Sequence, residues 1–180
     1  VVEVFFDSSV LVAASERSHP HYARALPALK RVAAGQDHGF ISGHSIAEVY
    51  TVLTRIPVRP RIHPTEVARI ILENIIPHFE VVPIGKKDYL QALNAVANGG
   101  WSGGKIYDAL LINCATRSAA DRIYTFNLTD FRRLAPGRTA RQDRSAMNYR
   151  SEGGANVTNL LHGFYARRHS MLSIGGVDRS

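Results

Sequence analysis

The sequence predicts an α/β fold of three layers, α/β/α, with a mainly parallel central sheet. Short β-branched or aromatic runs alternate with longer helical stretches, the pattern of successive βαβ units. The first run, residues 1–6, is apolar at both alternating sets of positions apart from Glu3. A strand covered by helices on both faces requires that, so this strand is expected at the centre of the sheet. The chain has 180 residues, enough for one domain with a sizeable core and too few for two comfortable ones.

Each element has its own local warrant. Asp7-Ser8-Ser9 offers a helix cap ahead of the apolar residues 10–14. A helix is expected over 21–34, ended by Gly35. Residues 39–42, Gly-Phe-Ile-Ser, form a second strand. Residues 45–55 form a helix with Ile46, Val49, Tyr50 and Leu53 on one face. Pro57, Pro60 and Pro64 interrupt the next stretch, and Pro64 suits the start of a helix running to about residue 75. A strand at 79–82, a helix at 87–97 and a glycine-rich loop at 99–104 follow. Then come a strongly apolar helix at 106–116, a strand at 122–126 and a short helix at 130–134. From about residue 139 Arg, Ser, Asn and Gly dominate and apolar periodicity weakens. The expected organisation is one domain over 2–138 and a polar, basic extension over 139–180, flexible or loosely attached, with no internal repeat.

Composition narrows the function classes. The hydrophobic fraction of 45% is that of a globular chain, which argues against wholesale disorder. No apolar run reaches the roughly 20 residues that span a bilayer, and residues 1–9 carry Glu3 and Asp7 with no basic flank, unlike a signal peptide. A single cysteine, Cys114, makes no internal disulfide, so a reducing cytoplasm is the expected location. The formal charge is +7, and the isoelectric point is about 9.9. A basic surface favours RNA, DNA or an acidic protein as partner.

The acids carry the chemistry. Ligands of open α/β sheets sit at the carboxyl ends of the strands. Asp7 ends the first predicted strand, and Asp130 follows the 122–126 strand by a few residues. Each is either a helix N-cap or a member of a shared crevice. Asp108 lies in Ile-Tyr-Asp-Ala-Leu-Leu-Ile, a helix apolar nearly all round. An ionised carboxylate there needs a partner: a cation from outside the sequence, or a distant arginine. Lys105 is the only nearby base, and it is expected to point elsewhere on the helix. Glu48 falls opposite the Ile46, Val49, Leu53 stripe, so periodicity alone makes it a solvated acid.

The strings FFDSSVLVAA, SIAEVYTVLTR, GGKIYDALLINCA and IYTFNLTDFRRL, in this order and spacing, resemble the PIN-domain nucleases. The closest likeness is to the VapC-type toxins of bacterial toxin–antitoxin pairs, over about residues 2–138. The resemblance implies a metal-dependent endoribonuclease whose site is Asp7, Glu48, Asp108 and Asp130, binding Mg²⁺ or Mn²⁺. It also implies that Thr125 and Asn127 help to order the site. Many relatives have an aspartate where this chain has Asn127. Products with 5′-phosphate and 3′-hydroxyl ends, a cognate antitoxin and a homodimer are further implications. Relatives close the sheet with an apolar strand soon after the segment matching residues 134–137, and this chain has no β-branched run there.

The implied chemistry is physically coherent. Hard divalent cations take oxygen ligands, and phosphodiester hydrolysis needs an activated water and charge relief, which one or two such ions supply. Two carboxylates about 4 Å apart repel by roughly 4 kcal/mol at an effective dielectric of 20, so an empty cluster is unfavourable and an ion relieves it. Asp7, Glu48 and Asp108 are expected to hold the main ion, and Asp130 a second ion or a water.

Other signals are weaker. Gly99–Lys105 nearly matches a phosphate-binding loop, but Ile106 replaces the required Ser or Thr and a predicted helix, not a strand, precedes it. Trp101 either stacks on a base or makes a core or partner contact. Arg55, Arg59 and Arg61 lie in a proline-broken loop that either contacts phosphate or is simply solvated; Lys105, Arg132 and Arg133 are further candidates for RNA contact. The eight histidines show no zinc spacing, and Cys114 is expected to be an inert core residue. An aspartyl phosphotransferase is one rival, although Ser9 stands where one such group needs a second aspartate. The alternative within the fold is a degenerate PIN module that binds RNA or protein without cutting.

Overall fold

The computed structural model describes residues 1–134. The expected extension over 139–180, and the place of a closing strand, lie outside the described residues. The elements run β1 (Glu3–Phe6), α1 (Ser8–Ser15), α2 (Tyr22–Ala33), β2 (His38–Ser42), α3 (Gly43–Arg55), α4 (Pro64–Ile70), β3 (Phe79–Val82), α5 (Lys86–Asn98), α6 (Lys105–Arg117), β4 (Arg122–Tyr124) and α7 (Leu128–Leu134).

The four strands form one sheet in the order β3-β2-β1-β4, and every pair is parallel. As expected, β1 is central: Phe5 lies opposite Phe40 on one side and Ile123 on the other. Successive side chains of a strand point to opposite faces, and β1 serves two cores. Val4 and Phe6 pack with Leu11, Leu29, Ile41, Leu53 and Val67 on the α1–α4 side. Phe5 packs with Phe40, Leu111, Ile123 and Phe131 on the α6–α7 side, where Ala92 of α5 joins Leu110 in a further cluster. Val4, Phe5 and Phe6 are fully buried. This is the three-layer arrangement the alternation of elements predicts. Close packing also explains Gly39: a Cβ there would lie 2.6 Å from the Phe79 ring and 2.7 Å from Val32.

Three elements differ from the sequence expectation. The helix expected from Pro64 to residue 75 is α-helical only to Ile70, then widens into a π turn over Ile71–Ile75. The short helix α7 starts at Leu128, so Asp130 lies in its first turn and does not cap it. Strand β4 stops at Tyr124, two residues early. There the chain leaves the ladder because its polar groups are engaged elsewhere: Thr125 Oγ1 donates to Asp7 at 2.7 Å, and the Phe126 amide donates to Ser9 Oγ at 3.2 Å. Among the described residues no helix is long and apolar enough to cross a membrane.

Candidate active site

Parallel strands bring their carboxyl ends to one edge of the sheet, and the strand order reverses direction at β1, where crevices open in such sheets. Asp7 follows β1 directly, and its amide donates to Tyr124 O at 2.9 Å. It occupies the cap position of α1, yet its side chain makes no capping hydrogen bond. Three hydroxyls turn it toward the crevice instead. Ser8 Oγ reaches Oδ1 at 3.2 Å, and Ser9 Oγ and Thr125 Oγ1 reach Oδ2 at 2.6 and 2.7 Å. Asp7 is 4% exposed and, among the described residues, its side-chain hydrogen bonds come from hydroxyls and not from a basic group.

Ser8 also donates to Glu48 Oε2 at 2.7 Å. This hydroxyl joins α1 to α3 and brings the glutamate to Asp7. Glu48 is therefore half-buried, not the solvated acid that periodicity suggests. Asp108 lies in the first turn of α6, its side chain 19% exposed. Asn127 Nδ2 donates to its Oδ2 at 3.3 Å, and the Asn127 amide donates to Thr125 Oγ1 at 2.9 Å. Burial and the negative charges of Asp7, Asp130 and Glu48 push the Asp108 carboxyl up to about 6, with the Lys105 charge opposing them. Of the acids named from the sequence, Asp7, Asp130 and Glu48 thus act on Asp108.

Lys105 departs from expectation. It lies on the same face of α6 as Asp108, 4.0 Å from Asp108 Oδ2, and its ammonium contacts Asp130 directly. Residues three apart on a helix are neighbours, which is why it cannot point away. The hydrogen bonds from Lys105 and Asn127 hold the Asp130 carboxyl below its usual range. Among the described residues, no group of three or more His, Cys, Asp or Glu side chains is preassembled to hold an ion. Instead the Ser8 hydroxyl stands between Asp7 and Glu48, and the Lys105 ammonium between Asp108 and Asp130. The donor set nevertheless suits a hard divalent ion, being four carboxylates with hydroxyl and amide oxygens around them.

The remaining candidates separate. Arg132 and Arg133 flank the site on α7, and the Arg133 charge acts on Asp130. Arg55 is exposed at the far end of α3, about 10 Å beyond Glu48 along the helix axis, and exposed Arg59 and Arg61 follow it. Gly100 and Gly103 have positive φ, 65° and 64°, so this loop turns between two helices and is no phosphate-binding loop after a strand. Trp101 lies over its own loop, where a Cβ on Gly99 would come within 2.8 Å of its ring. Cys114 is buried, and burial pushes its thiol up, as an inert core residue requires. Sequence reasoning noted Ser8 and Ser9 only as a helix cap. Their position directly after Asp7 was the available signal, since such hydroxyls bond to neighbouring groups.

No curated protein matches the chain. Among solved structures it is similar to the Mycobacterium tuberculosis toxin VapC20, which cleaves the sarcin-ricin loop. The identity is 20% and the TM-score 0.54, covering 69% of this chain and 90% of that one. It is also similar to VapBC2 of Rickettsia felis, solved bound to a DNA fragment from its promoter, with 18% identity and a TM-score of 0.50 over 73% of this chain and 92% of that one. At these identities the likeness is one of fold. The model of the PIN domain family matches residues 4–136. The chain belongs to the PIN domain family.

Proposed function

We propose that this chain is a metal-dependent endoribonuclease, the toxin of a type II toxin–antitoxin pair, with its nuclease domain over residues 2–138. One observation carries the reading: at the carboxyl edge of the sheet Asp7 and Glu48 share the Ser8 hydroxyl and Asp108 and Asp130 share the Lys105 ammonium, and burial with the charges of Asp7, Asp130 and Glu48 pushes Asp108 up to about 6. Like charges held together at a strand-end crevice are unfavourable without a cation. The acids Asp7 and Glu48 are held by the hydroxyl of Ser8, whereas the buried acid Asp37 is held by the guanidinium of Arg31.

Asp7, Glu48 and Asp108 would hold the principal ion, Mg²⁺ or Mn²⁺. Asp130 would hold a second ion or orient water. When bound, such an ion relieves charge on the phosphoryl oxygens and activates the attacking water. The chain's own groups do the positioning. The hydroxyls of Ser8, Ser9 and Thr125 fix the rotamer of Asp7, Asn127 fixes Asp108, and Arg133 with Lys105 offers positive charge to phosphate beside the acids. Arg55, Arg59, Arg61 and Arg132 are proposed as outer contacts to the RNA backbone, which sets affinity without sequence preference.

The fold neighbours include a toxin that cleaves RNA and a toxin–antitoxin complex. They support a cognate antitoxin as partner; a homodimeric state and a cytoplasmic location are proposed with it. A second reading has its own observation. Lys105 already neutralises Asp130, and a PIN module that binds RNA without cutting it needs no more than that. A fluorescently labelled RNA incubated with the full chain, with Mg²⁺, Mn²⁺ or chelator, separates the two. The nuclease reading expects fragments with 5′-phosphates only when a divalent ion is present. Retention of the RNA without fragments under every condition would favour the binding module.

A further inference from the structure

The rings of His44 and Tyr107 are stacked, with centroids 4.7 Å apart and planes within 8° of parallel. His44 is in the first turn of α3 and Tyr107 in the first turn of α6, next to Asp108. Residues four apart share a helix face, so His44 lies on the face of Glu48, one turn nearer the carboxyl edge of the sheet. Helix α3 packs mainly on α1 and α4, and α6 on α5 and α7. The stack therefore joins two helices that have different helical neighbours and share β2, one helical turn from Glu48 and at the residue before Asp108.

Tyr107 is 47% exposed, so the stack with His44 leaves much of its ring open. Among the described residues, two other aromatic side chains near the site residues in sequence are less open than Tyr107. Phe126 has His21 stacked at 4.5 Å and the Arg24 guanidinium 5.7 Å from its centroid, and Trp101 lies against Gly99. We propose that the His44–Tyr107 stack is a platform for a nucleobase next to the scissile phosphate. This rests on the nuclease reading above. A base inside a duplex has both faces covered, so only a base splayed from its stack lies on a side-chain ring. Every base has a π face; the platform fixes where the strand lies and not which base is read. His44 holds the Tyr107 plane before RNA arrives, which lowers the ordering cost of binding.

The test uses the full chain, Mn²⁺ and a single-stranded RNA oligonucleotide, with one abasic residue placed at each position in turn. For wild type, an abasic residue beside the scissile phosphate should raise KM about 5- to 100-fold, the range expected for one lost base–ring stack, with a smaller change in kcat. Tyr107→Leu should raise KM for the intact RNA by a similar factor and abolish the abasic penalty. Tyr107→Phe, which keeps the ring, should keep the penalty. Should Tyr107→Leu fail to fold, His44→Leu read by the same penalty takes its place. A wild type that cuts RNA while the folded leucine variant retains the full penalty overturns the platform and leaves the nuclease reading standing. A wild type that cuts no RNA with any divalent ion overturns both.

Discussion

The ammonium of Lys105 is ion-paired with the carboxylate of Asp130, 25 residues further along the chain. The same ammonium stands 4.0 Å from Asp108. The protein thus supplies a monovalent cation of its own beside two of the four acids proposed to hold a divalent ion. Lys105→Met should remove this competitor. Mn²⁺ should then bind several-fold tighter by calorimetry. The melting temperature of the metal-free form should change little, as expected for an ion pair near the surface. Unchanged affinity for Mn²⁺ would mean that Lys105 is no rival to the ion.

Asp108→Asn separates ligand from scaffold. The amide oxygen can still accept from Asn127, while a negative charge is removed from beside Asp7, Glu48 and Asp130. The metal-free variant should melt at or above the wild-type temperature at pH 7, and cleavage of RNA should be lost. If Asp108 is held for structure, the change should instead cost about 1–3 kcal/mol by leaving a partner unsatisfied, with cleavage retained.

The pH dependence has a definite sign. Asp108 is raised from 3.8 to about 6 in the folded chain, so the folded state binds the proton more readily than the unfolded one. Its contribution to stability is therefore greatest below about pH 4 and declines as pH rises through about 6. A divalent ion competes with that proton. The rise in melting temperature on adding Mg²⁺ should be small at pH 5 and grow to pH 7. Melts with Mg²⁺ and with chelator at each pH check this, and a ligand-induced shift independent of pH would count against it.

A structural acid should behave in the opposite way. Asp88 is 4% exposed and accepts from the Gly85 amide at 2.8 Å and from Arg117 Nε at 2.9 Å. Arg117 is the last residue of α6, at the other end from Asp108. Arg117→Ala should strand a buried carboxylate and cost about 1–3 kcal/mol, with Mn²⁺ affinity unchanged. A chemical denaturation curve paired with a calorimetric titration reads both quantities.

Legibility in the sequence followed the range of the interactions. The parallel sheet was legible because each strand announces itself locally, and β1 shows burial on both faces in its composition. Asp7 and Asp108 were legible because a carboxylate beside buried apolar residues is conspicuous. Glu48 was not, because what turns it inward is the Ser8 hydroxyl, 40 residues earlier. The early end of β4 was not either, since Thr125 leaves the ladder for Asp7, 118 residues away. Lys105 was readable and misread: an offset of three on a helix puts two side chains side by side.

The central claim is that Asp7, Glu48, Asp108 and Asp130 form one divalent-ion site. Mn²⁺ titration of the full chain at pH 7.5, followed by electron paramagnetic resonance of the free ion, tests it most directly. At least one Mn²⁺ should bind per wild-type chain, and Asp7→Asn or Asp108→Asn should weaken that binding about tenfold or more. Equal binding by wild type and both variants, or none by wild type, would contradict the account.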